Sequence, residues 1–549
     1  MIFGPVGRSV SAVATFALLF PVSGIASSHL AQVSTSSSSS TMEMSSAASK
    51  PRSILNTNTN MRHVGMSSSS CRFLKRVRGG AASPKASSIP IKTTSHVTAG
   101  TTEAHHGLSV TSLAINIMAD LCPHGMLPLA FGMASEGGTG LVPALSLLVL
   151  FGSLSAYTLI SIARACEATG EYSFRGIWSR TLHPSTAWII DAGITFLCFG
   201  CCIFYSAFIG DLSAALAQAL GAPAVLHKRW LCLVALHIFP LWPLCLMKNL
   251  SALQYSSIVG VFGILYTTAF VVKRQCDESY GPSGHFHALI DAVYRPQTPS
   301  YSAFEKLFRL GPGAISLMNM ACVAFTTHYN GIAYYTELKD RNLSRYSGAV
   351  GLGFLASFSV FALMMVFGFG TFGFAAQPLL LNNYHRTQDA LATGSRLATA
   401  FSIMCGFPLM FAGLKTGFFS LWHSNVESAR RLSPRLRVAL KSDTVIATVS
   451  SLLLAAICGI ACLCTEEDVG FVIGVIGAVL GTSVVYIIPA LLNTKLLARV
   501  KDTAVAKPEK RFNQGLIVIG VVFALLGTYM AIDDQFGIFS GRGPKVHMH

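Results

Sequence analysis

The chain has 549 residues, of which 52% are hydrophobic and only 12% are charged, and its mean hydropathy is +0.54. Because soluble proteins carry about 25% charged residues, this composition argues against a soluble enzyme, a disordered scaffold and a nucleic-acid-binding protein. The formal net charge is +16, but the basic residues lie in the N-terminal segment and in short stretches between apolar runs. The composition therefore indicates a protein that lies mostly within a lipid bilayer.

The N-terminal segment differs in composition from the rest of the chain. Residues 1–26 contain one Arg followed by an apolar run of about signal-peptide length. Residues 27–106 are rich in Ser and basic residues and poor in acids, so they are predicted to be disordered because they bury too little apolar surface to fold. Two interpretations remain open, namely a basic cytosolic tail that binds a cytosolic partner and a two-part presequence of a plastid protein.

Eleven apolar stretches follow, each long enough to cross a bilayer as a helix of about 20 residues. Numbered in chain order as spans 1 to 11, they are 109–133, 138–163, 186–210, 229–247, 250–272, 310–334, 347–375, 394–416, 444–464, 468–492 and 514–532. Alternate loops hold many of the Lys and Arg residues, and the positive-inside rule then places the start of span 1 in the cytosol. The sequence predicts an all-α polytopic membrane bundle over 107–532 and a short tail over 533–549.

Spans 1 and 6 are poor continuous helices. Pro123 and Pro128 in span 1 donate no backbone hydrogen bond, and Gly125 adds a weak point between them. The stretch TTHYNG, residues 326–331, places poor or polar helix formers in span 6. Interrupted helices at corresponding positions of two halves indicate a transporter binding site. We therefore expect spans 1–5 and 6–10 to form an inverted repeat, with span 11 appended.

Several motifs resemble those of the amino acid/auxin permease family, especially its neutral and vacuolar amino acid transporters. The run HYNGIAYYTELK at 328–339 is similar to the family pattern His-x-Glu/Asn-x-x-Pro-x-Tyr-x-Glu-Leu-Lys, although Ala333 replaces the Pro. Further matching segments are LPLAF at 127–131, IGDL at 209–212, FPL at 407–409 and GVIGAVLGTSVVYIIPALLNTKL at 474–496. The resemblance implies a leucine-transporter-like fold of about eleven transmembrane helices, a 5+5 inverted repeat plus one C-terminal helix, and an amino acid as the small-molecule substrate.

Two departures from the family concern the substrate cradle and the coupling ion. The family usually has Gly-x-Gly at the interruption of span 1, where bare backbone amides receive the substrate carboxylate, but Leu121 and Pro123 stand here. Sodium-dependent members carry a Thr just before the Pro of span 8, where this chain has Met404 and Gly406. These differences argue against Na⁺, so we expect H⁺ to be the coupling ion and no other cofactor.

Asp120 is the most informative single residue. A carboxylate at the bilayer centre costs several kcal/mol, about 3 on insertion scales, unless it faces a cavity, binds a cation or is protonated. We expect Asp120 to carry the coupling proton or to bind an amine or sodium ion, and the alternative is a structural cap on broken-helix amides. His124 follows four residues later and is equally suited to sharing a proton, to contacting the substrate carboxylate or to a structural hydrogen bond.

The other candidate residues lie on spans 1, 6 and 8. His328 is predicted to shape or gate span 6, while Thr326, Thr327 and Asn330 are predicted to bind the substrate or to replace lost helix hydrogen bonds. The complete candidate site for substrate or coupling ion is Asp120, Cys122, Pro123, His124, Gly125, Met126, Phe325, Thr326, Thr327, His328, Asn330 and Ser402. The spacing of the residues predicts no metal site and no enzyme active site.

The sequence thus predicts a secondary active transporter of amino acids, coupled to protons, that works by alternating access around spans 1 and 6. A membrane-bound amino acid sensor that signals through its N-terminal tail is the alternative. The chain is expected to be an integral membrane protein of the vacuole, another endomembrane or the plasma membrane, with the plastid envelope as a further option from residues 1–26 and 27–106.

Overall fold

The structure is a computed structural model, and the residues that it describes are 107–135, 137–247, 253–297, 301–428, 433–499 and 506–536. The expectations for residues 1–106 and for the end of the C-terminal tail lie outside this part of the chain. The described residues form helices and two isolated β-bridges, and they contain no strand. The predicted all-α fold class is confirmed.

Ten stretches of helix in the described part of the chain are long and apolar enough to cross a membrane, and they correspond to spans 2 to 11. Their bounds are Leu141–Thr169, Pro184–Ala219, Arg229–Leu246, Ser257–Cys276, Ala303–Glu337, Leu343–Phe372, Ala390–Ser428, Asp443–Leu463, Asp468–Leu497 and Ala506–Asp533. Span 1 consists of two shorter helices, Val110–Gly125 and Leu129–Ala134. The described chain thus has ten candidate spans and, at the position expected for span 1, a pair of shorter helices.

Besides span 3, which begins with the 3-10 turn Pro184–Thr186, three of the long stretches change helix type along their length. Span 4 contains a π-helical turn, His237–Leu241, around Pro240. In span 6, the helix Gly313–Ala324 is followed by a 3-10 turn and a second helix, and span 10 contains a long π-helical segment. The segments of these two spans are Gly313–Ala324, His328–Asn330, Gly331–Glu337, Glu466–Val475, Ile476–Ile487 and Ile488–Leu497.

The remaining helix bounds complete the path of the chain. The main helices of spans 3, 5 and 11 are Trp188–Ala219, Leu253–Cys276 and Ala506–Phe536, so the last helix runs beyond the predicted start of the C-terminal tail at 533. Short helices in the connections are Phe174–Thr181, Pro184–Thr186, Ala224–His227, Ala292–Tyr294, Ala303–Phe308, Leu380–Asn383 and Pro434–Ala439.

The interruption of span 1 lies later than the sequence suggests. The first helix starts at Val110, where the Ser109 hydroxyl accepts a hydrogen bond from the backbone N–H of Ser112 at 3.1 Å. The helix continues through Pro123, although proline has no N–H to donate, and it ends at Gly125. The chain bends over residues 126–128 before the second helix begins. Bare amides at 121–123, where the family has its glycines, are therefore absent from this described segment.

Spans 1 and 6 approach closely at the end of the first helix. A Cβ atom at Gly125 would lie 2.8 Å from the Cα atom of Ala324 and 2.6 Å from the ring of Phe361 in span 7. The segment before span 1 also meets the end of span 6, where Leu108 and Leu338 form a parallel β-bridge. Span 1 is therefore attached to span 6 both at its start and at its interruption.

Candidate functional site

The carboxylate of Asp120 in span 1 accepts four hydrogen bonds from side chains of span 6. Its Oδ2 atom accepts from the Thr327 hydroxyl at 2.5 Å, the Tyr334 hydroxyl at 2.8 Å and the Asn330 amide at 3.3 Å. Its Oδ1 atom accepts from the Tyr329 hydroxyl at 2.6 Å. All five side chains are buried, and Asp120 is only 1% exposed. The side chain of Asp120 therefore joins span 1 to span 6 within the protein core.

The local structure of span 6 explains why four donors converge on one carboxylate. The helix Gly313–Ala324 ends just before Thr327, and the next residues form the 3-10 turn His328–Asn330. The second helix, Gly331–Glu337, then brings the Tyr334 hydroxyl to the same oxygen as the Thr327 hydroxyl. Hydrogen bonds to a charged group are worth about 1.5–3 kcal/mol each, so together they offset much of the cost of burying the carboxylate.

His124 connects three spans through its two ring nitrogens. Its Nε2 atom lies 3.2 Å from the carbonyl oxygen of Val323 near the end of the first helix of span 6, and its Nδ1 atom is hydrogen-bonded to the Tyr205 hydroxyl of span 3. Since a carbonyl oxygen only accepts, Nε2 donates to Val323 and Nδ1 accepts from Tyr205 in the neutral ring. This pairing fixes both the tautomer and the orientation of the imidazole.

His328 faces away from Asp120, toward span 2. Its Nε2 atom lies 2.9 Å from the Thr158 hydroxyl and 3.2 Å from the carbonyl oxygen of Ser155, and its buried Nδ1 atom has no protein hydrogen-bond partner. The Ser155 hydroxyl in turn contacts the Tyr486 hydroxyl of span 10 at 2.8 Å. The two candidate histidines therefore belong to separate polar clusters, that of His124 with spans 3 and 6 and that of His328 with spans 2 and 10.

Several other candidates pack or satisfy the backbone without contacting Asp120. Phe325 stacks on Phe354 of span 7 with ring centroids 5.9 Å apart, and the Thr326 hydroxyl donates to the carbonyl of Cys322 in the preceding helix at 2.5 Å. The Ser402 hydroxyl donates to the carbonyl of Gly260 in span 5 at 2.7 Å. The structure therefore places these three residues outside the cluster around Asp120, a difference that the sequence does not show.

The remaining candidates lie on span 1 and are buried, as the sequence predicts. Cys122 contacts Ser357 of span 7, while Pro123 lies beside Gly406 of span 8. Gly125 and Met126 form the end of the first helix. Of the candidate residues, the structure thus brings Asp120, Thr327 and Asn330 together, and it places His124 next to them.

The sequence analysis misses three tyrosines that complete the site. Tyr329 and Tyr334 bond Asp120 directly, and Tyr205 bonds His124. Tyrosines at helical spacing within a membrane span are usually packing residues, so the presence of a tyrosine does not by itself indicate a polar site. A buried carboxylate without a basic partner does require donors, and hydroxyl-bearing residues on the interrupted span were the available ones.

Variants of Thr327 and Ser402 test whether the hydroxyl that bonds Asp120 matters more for transport than the hydroxyl that bonds backbone carbonyls. Thr327→Val keeps the side-chain shape but removes a charge-assisted donor to Asp120, so we expect the uptake rate to fall by about tenfold or more. Ser402→Ala removes a hydroxyl whose hydrogen bonds go to the carbonyls of Gly260 and Ala398, and we expect uptake within about twofold of the wild type. Initial rates in liposomes with matched protein amounts check both, and equal losses would contradict the separation of these residues.

A cavity of about 250 Å³ lies at the other end of the interrupted spans, away from the Leu108–Leu338 bridge. It is bordered by Phe131 of span 1, Asn319 of span 6 and Gly474 of span 10, and its remaining lining residues are Val293, Ser316, Met320, Phe374, Ala376, Gln377, Pro378, Gly470, Phe471, Ala531 and Gln535. The lining combines aromatic rings with neutral amide and hydroxyl groups. The cavity does not include Asp120, so it is separate from the buried hydrogen-bond cluster.

Comparison with known proteins gives consistent matches over the bundle. The sequence profile of the family described as "Transmembrane amino acid transporter protein" matches residues 106–533. Vacuolar amino acid transporter 5 of Schizosaccharomyces pombe is 22% identical over 441 residues, which cover 79% of this chain and 96% of that protein. Sodium-coupled neutral amino acid transporter 7 of Rattus norvegicus is 24% identical over 441 residues, covering 77% and 86% of the two chains.

Among solved structures, the chain is similar to MhsT in complex with L-phenylalanine. The sequence identity is 15% and the TM-score is 0.45, with 77% of this chain and 99% of that chain covered. The family resemblance drawn from the motifs of spans 1, 3, 6, 8 and 10 is confirmed by the family match.

Proposed function

We propose, since the chain belongs to the transmembrane amino acid transporter family, that it is a secondary active transporter which carries amino acids by alternating access around spans 1 and 6. The observation that carries the proposal is the bonding of Asp120 in span 1 to four side chains of span 6. The carboxylate links two interrupted spans, so its hydrogen bonds to span 6 break when the spans separate.

The ends of the helices in span 6 suit a zwitterionic substrate. The helix Gly313–Ala324 ends at the centre of the bundle, and its last carbonyl groups carry partial negative charge from the helix dipole. These carbonyls attract the ammonium group of an amino acid. The carbonyls of Ala321, Cys322 and Val323 already accept hydrogen bonds from Phe325, Thr326 and His124, respectively. The carbonyl of Ala324 at the end of the helix is then the acceptor for the substrate ammonium group.

Proton coupling is supported by the hydroxyl groups of span 8. Sodium ions bind hard oxygen ligands, and hydroxyls near span 1 are the natural source in a membrane bundle. The Thr399 hydroxyl lies 2.8 Å from that of Thr267 in span 5, and the Ser402 hydroxyl donates to the span 5 carbonyl of Gly260. Both hydroxyls are thus directed toward span 5, whereas Asp120 is a protonatable group within the core.

The two ends of the bundle differ in a way that suits a carrier. At the end where span 1 begins, the backbone N–H of Leu108 donates to the carbonyl of Glu337 at 2.8 Å, and the N–H of Lys339 donates to the carbonyl of Leu108 at 3.0 Å. The cavity of about 250 Å³ lies at the opposite end. We assign the bridged end to the cytosol, as the basic loops indicate, and the cavity to the substrate entry side.

Uptake by purified protein in liposomes tests the proposal. A panel of radiolabelled amino acids is applied first with an imposed pH gradient and then with an imposed sodium gradient. We expect concentrative uptake of at least one amino acid with the pH gradient alone. Uptake that only a sodium gradient drives would overturn proton coupling, and absence of uptake and exchange for every amino acid would overturn the transport function.

The candidate membranes are the vacuolar membrane, another endomembrane, the plasma membrane and the plastid envelope. A localisation experiment tests whether the N-terminal segment directs the protein to one of them. A fluorescent fusion of the full chain is compared with one that lacks residues 1–100. We expect the shortened protein to keep its membrane integration, because the eleven spans are intact. A change of compartment identifies residues 1–100 as a targeting segment, and an unchanged compartment excludes that role.

A further inference from the structure

We propose that Thr327, Tyr329, Asn330 and Tyr334 form the binding site for the substrate carboxylate, and that Asp120 occupies this site as an internal competitor until it is protonated. This inference rests on the proposed transport function and gives it a binding order, with the proton before the substrate. We call these four residues the donor quartet.

The first argument is the saturation of the Asp120 carboxylate. An ionised carboxylate accepts about four hydrogen bonds through its two oxygens, and Asp120 receives four from the donor quartet, at 2.5–3.3 Å. When one oxygen takes up a proton it becomes a donor, so at least one member of the quartet loses its acceptor. Protonation of Asp120 therefore releases donors that are otherwise fully used.

The second argument is the chemistry that the released donors recognise. Three hydroxyls and one amide that converge on a single point form a site for a carboxylate, and they do so now for the carboxylate of Asp120. Every α-amino acid carries the same group. Each residue of the donor quartet is 6% exposed or less. The substrate carboxylate would therefore bind these donors at a site that is shielded from water.

Span 1 offers no free backbone amides beside the donor quartet. The helix Val110–Gly125 runs without interruption past Leu121 and Pro123, so the amide of Leu121 is engaged within the helix and Pro123 has no N–H to donate. The chain therefore needs carboxylate donors from elsewhere, and the donor quartet on span 6 supplies them.

Charge makes the competition obligatory. Two carboxylates within one set of donors repel strongly in a medium of low dielectric constant, so both are not ionised there at once. The other titratable groups that interact with Asp120 in the described part of the chain are neutral in their ordinary forms at pH 7. They are Cys198, Cys201 and Tyr205 of span 3 and Tyr329 and Tyr334 of span 6, with the ring of His124 on span 1 nearby. Each substrate molecule that binds the donor quartet therefore requires one proton on Asp120.

The sign of the effect of Asp120→Asn on substrate binding tests the competition. Asparagine keeps the shape of the side chain but has one acceptor oxygen and no charge, so it resembles protonated Asp120 and leaves donors free. We expect the amino acid with the highest uptake in the panel to bind the variant about tenfold more tightly at pH 7.5, with little dependence on pH. In the wild type we expect affinity to increase as the pH is lowered.

Binding of fragments separates the substrate's two charged groups. For L-alanine the fragments are propionate, which keeps the carboxylate, and ethylamine, which keeps the amine. We expect propionate to compete better with the radiolabelled amino acid on Asp120→Asn than on the wild type. Weaker amino acid binding by Asp120→Asn, with loss of competition by ethylamine, would overturn the proposal and assign Asp120 to the substrate amine instead.

A second variant keeps the test valid if Asp120→Asn is unstable. Tyr334→Phe removes one donor of the quartet, and we expect weaker binding of the amino acid and of propionate by about fivefold or more. Tyr346→Phe is the matched control, because its buried hydroxyl donates to the carbonyl of Gly331 at 3.1 Å and does not belong to the quartet. Equal affinities of Tyr334→Phe and Tyr346→Phe would contradict the proposal. Wild-type protein that binds and transports no amino acid would instead overturn the proposed function.

Discussion

Asp120→Asn is expected to abolish concentrative uptake under a pH gradient while leaving exchange of substrate across the membrane. Asparagine neither gains nor loses a proton in the relevant range, so the variant has no group that ties substrate movement to proton movement. The side chain retains its volume and one acceptor oxygen, so the packing of the bundle is kept while at least one member of the donor quartet loses its acceptor. Uptake into liposomes is measured with a pH gradient, and exchange with substrate preloaded inside.

The control for this experiment is Asp191→Asn at the start of span 3. Asp191 is also buried, at 2% exposure, but it forms an ion pair with Arg175 at 2.5 Å and lies in span 3, outside the two interrupted spans. We expect this variant to lose stability and to keep its coupling to protons. Full concentrative uptake by Asp120→Asn at wild-type levels would remove the proton-carrying role of Asp120.

Gly125→Ala is expected to give the second large effect, on both folding and transport. The added Cβ atom would lie 2.6 Å from the ring of Phe361 and 2.8 Å from the backbone of Ala324, distances that force spans 1 and 6 apart. Overpacking of this kind costs about 1–3 kcal/mol, and a shift of a few tenths of an ångström also disturbs the hydrogen bonds of His124. Thermal unfolding in detergent and the initial uptake rate measure the two consequences.

Gly348→Ala in span 7 is the matched control, because a Cβ atom there has nothing within 4 Å. The same substitution in an exposed part of a helix gains about 1 kcal/mol of helix propensity at most, so we expect unchanged or slightly raised stability and normal uptake. Similar losses in both variants would show that helix propensity, and not the close approach of spans 1 and 6, determines the outcome.

The architecture was predictable because membrane helices follow simple rules of length and charge. Each span needs a long apolar run, and basic residues between the runs set the orientation. The family motif at 328–339 then indicated which span is the sixth and hence where we expect the second half of an inverted repeat to begin. These signals are local in the sequence, so they do not depend on knowing how the spans pack.

The position of the interruption in span 1 was less predictable. Pro123 and Gly125 both weaken a helix, and the sequence gives no measure of which weakness prevails. In the structure the helix passes Pro123 and ends at Gly125, because packing against Ala324 and Phe361 holds the last turn. Tertiary packing of this kind overrides intrinsic propensity, and the information lies in spans 6 and 7.

The candidate site divides in the same way. Asp120 stands out in the sequence because an ionisable residue in a membrane span is costly, and Thr327 and Asn330 follow from the interruption of span 6. Thr326 and Ser402 carry the same hydroxyl group as Thr327, yet their hydroxyls donate to backbone carbonyls and not to Asp120. Which way a hydroxyl faces depends on the rotation of its helix, and a single sequence does not encode that rotation visibly.

A structure of the purified protein by electron cryo-microscopy, with the transported amino acid bound at low pH, tests the central claim most directly. The account predicts substrate density between spans 1 and 6, with its carboxylate within hydrogen-bond distance of Thr327 and Tyr334 and with Asp120 displaced from them. Substrate density elsewhere in the bundle, with all four hydrogen bonds of Asp120 intact, would contradict it.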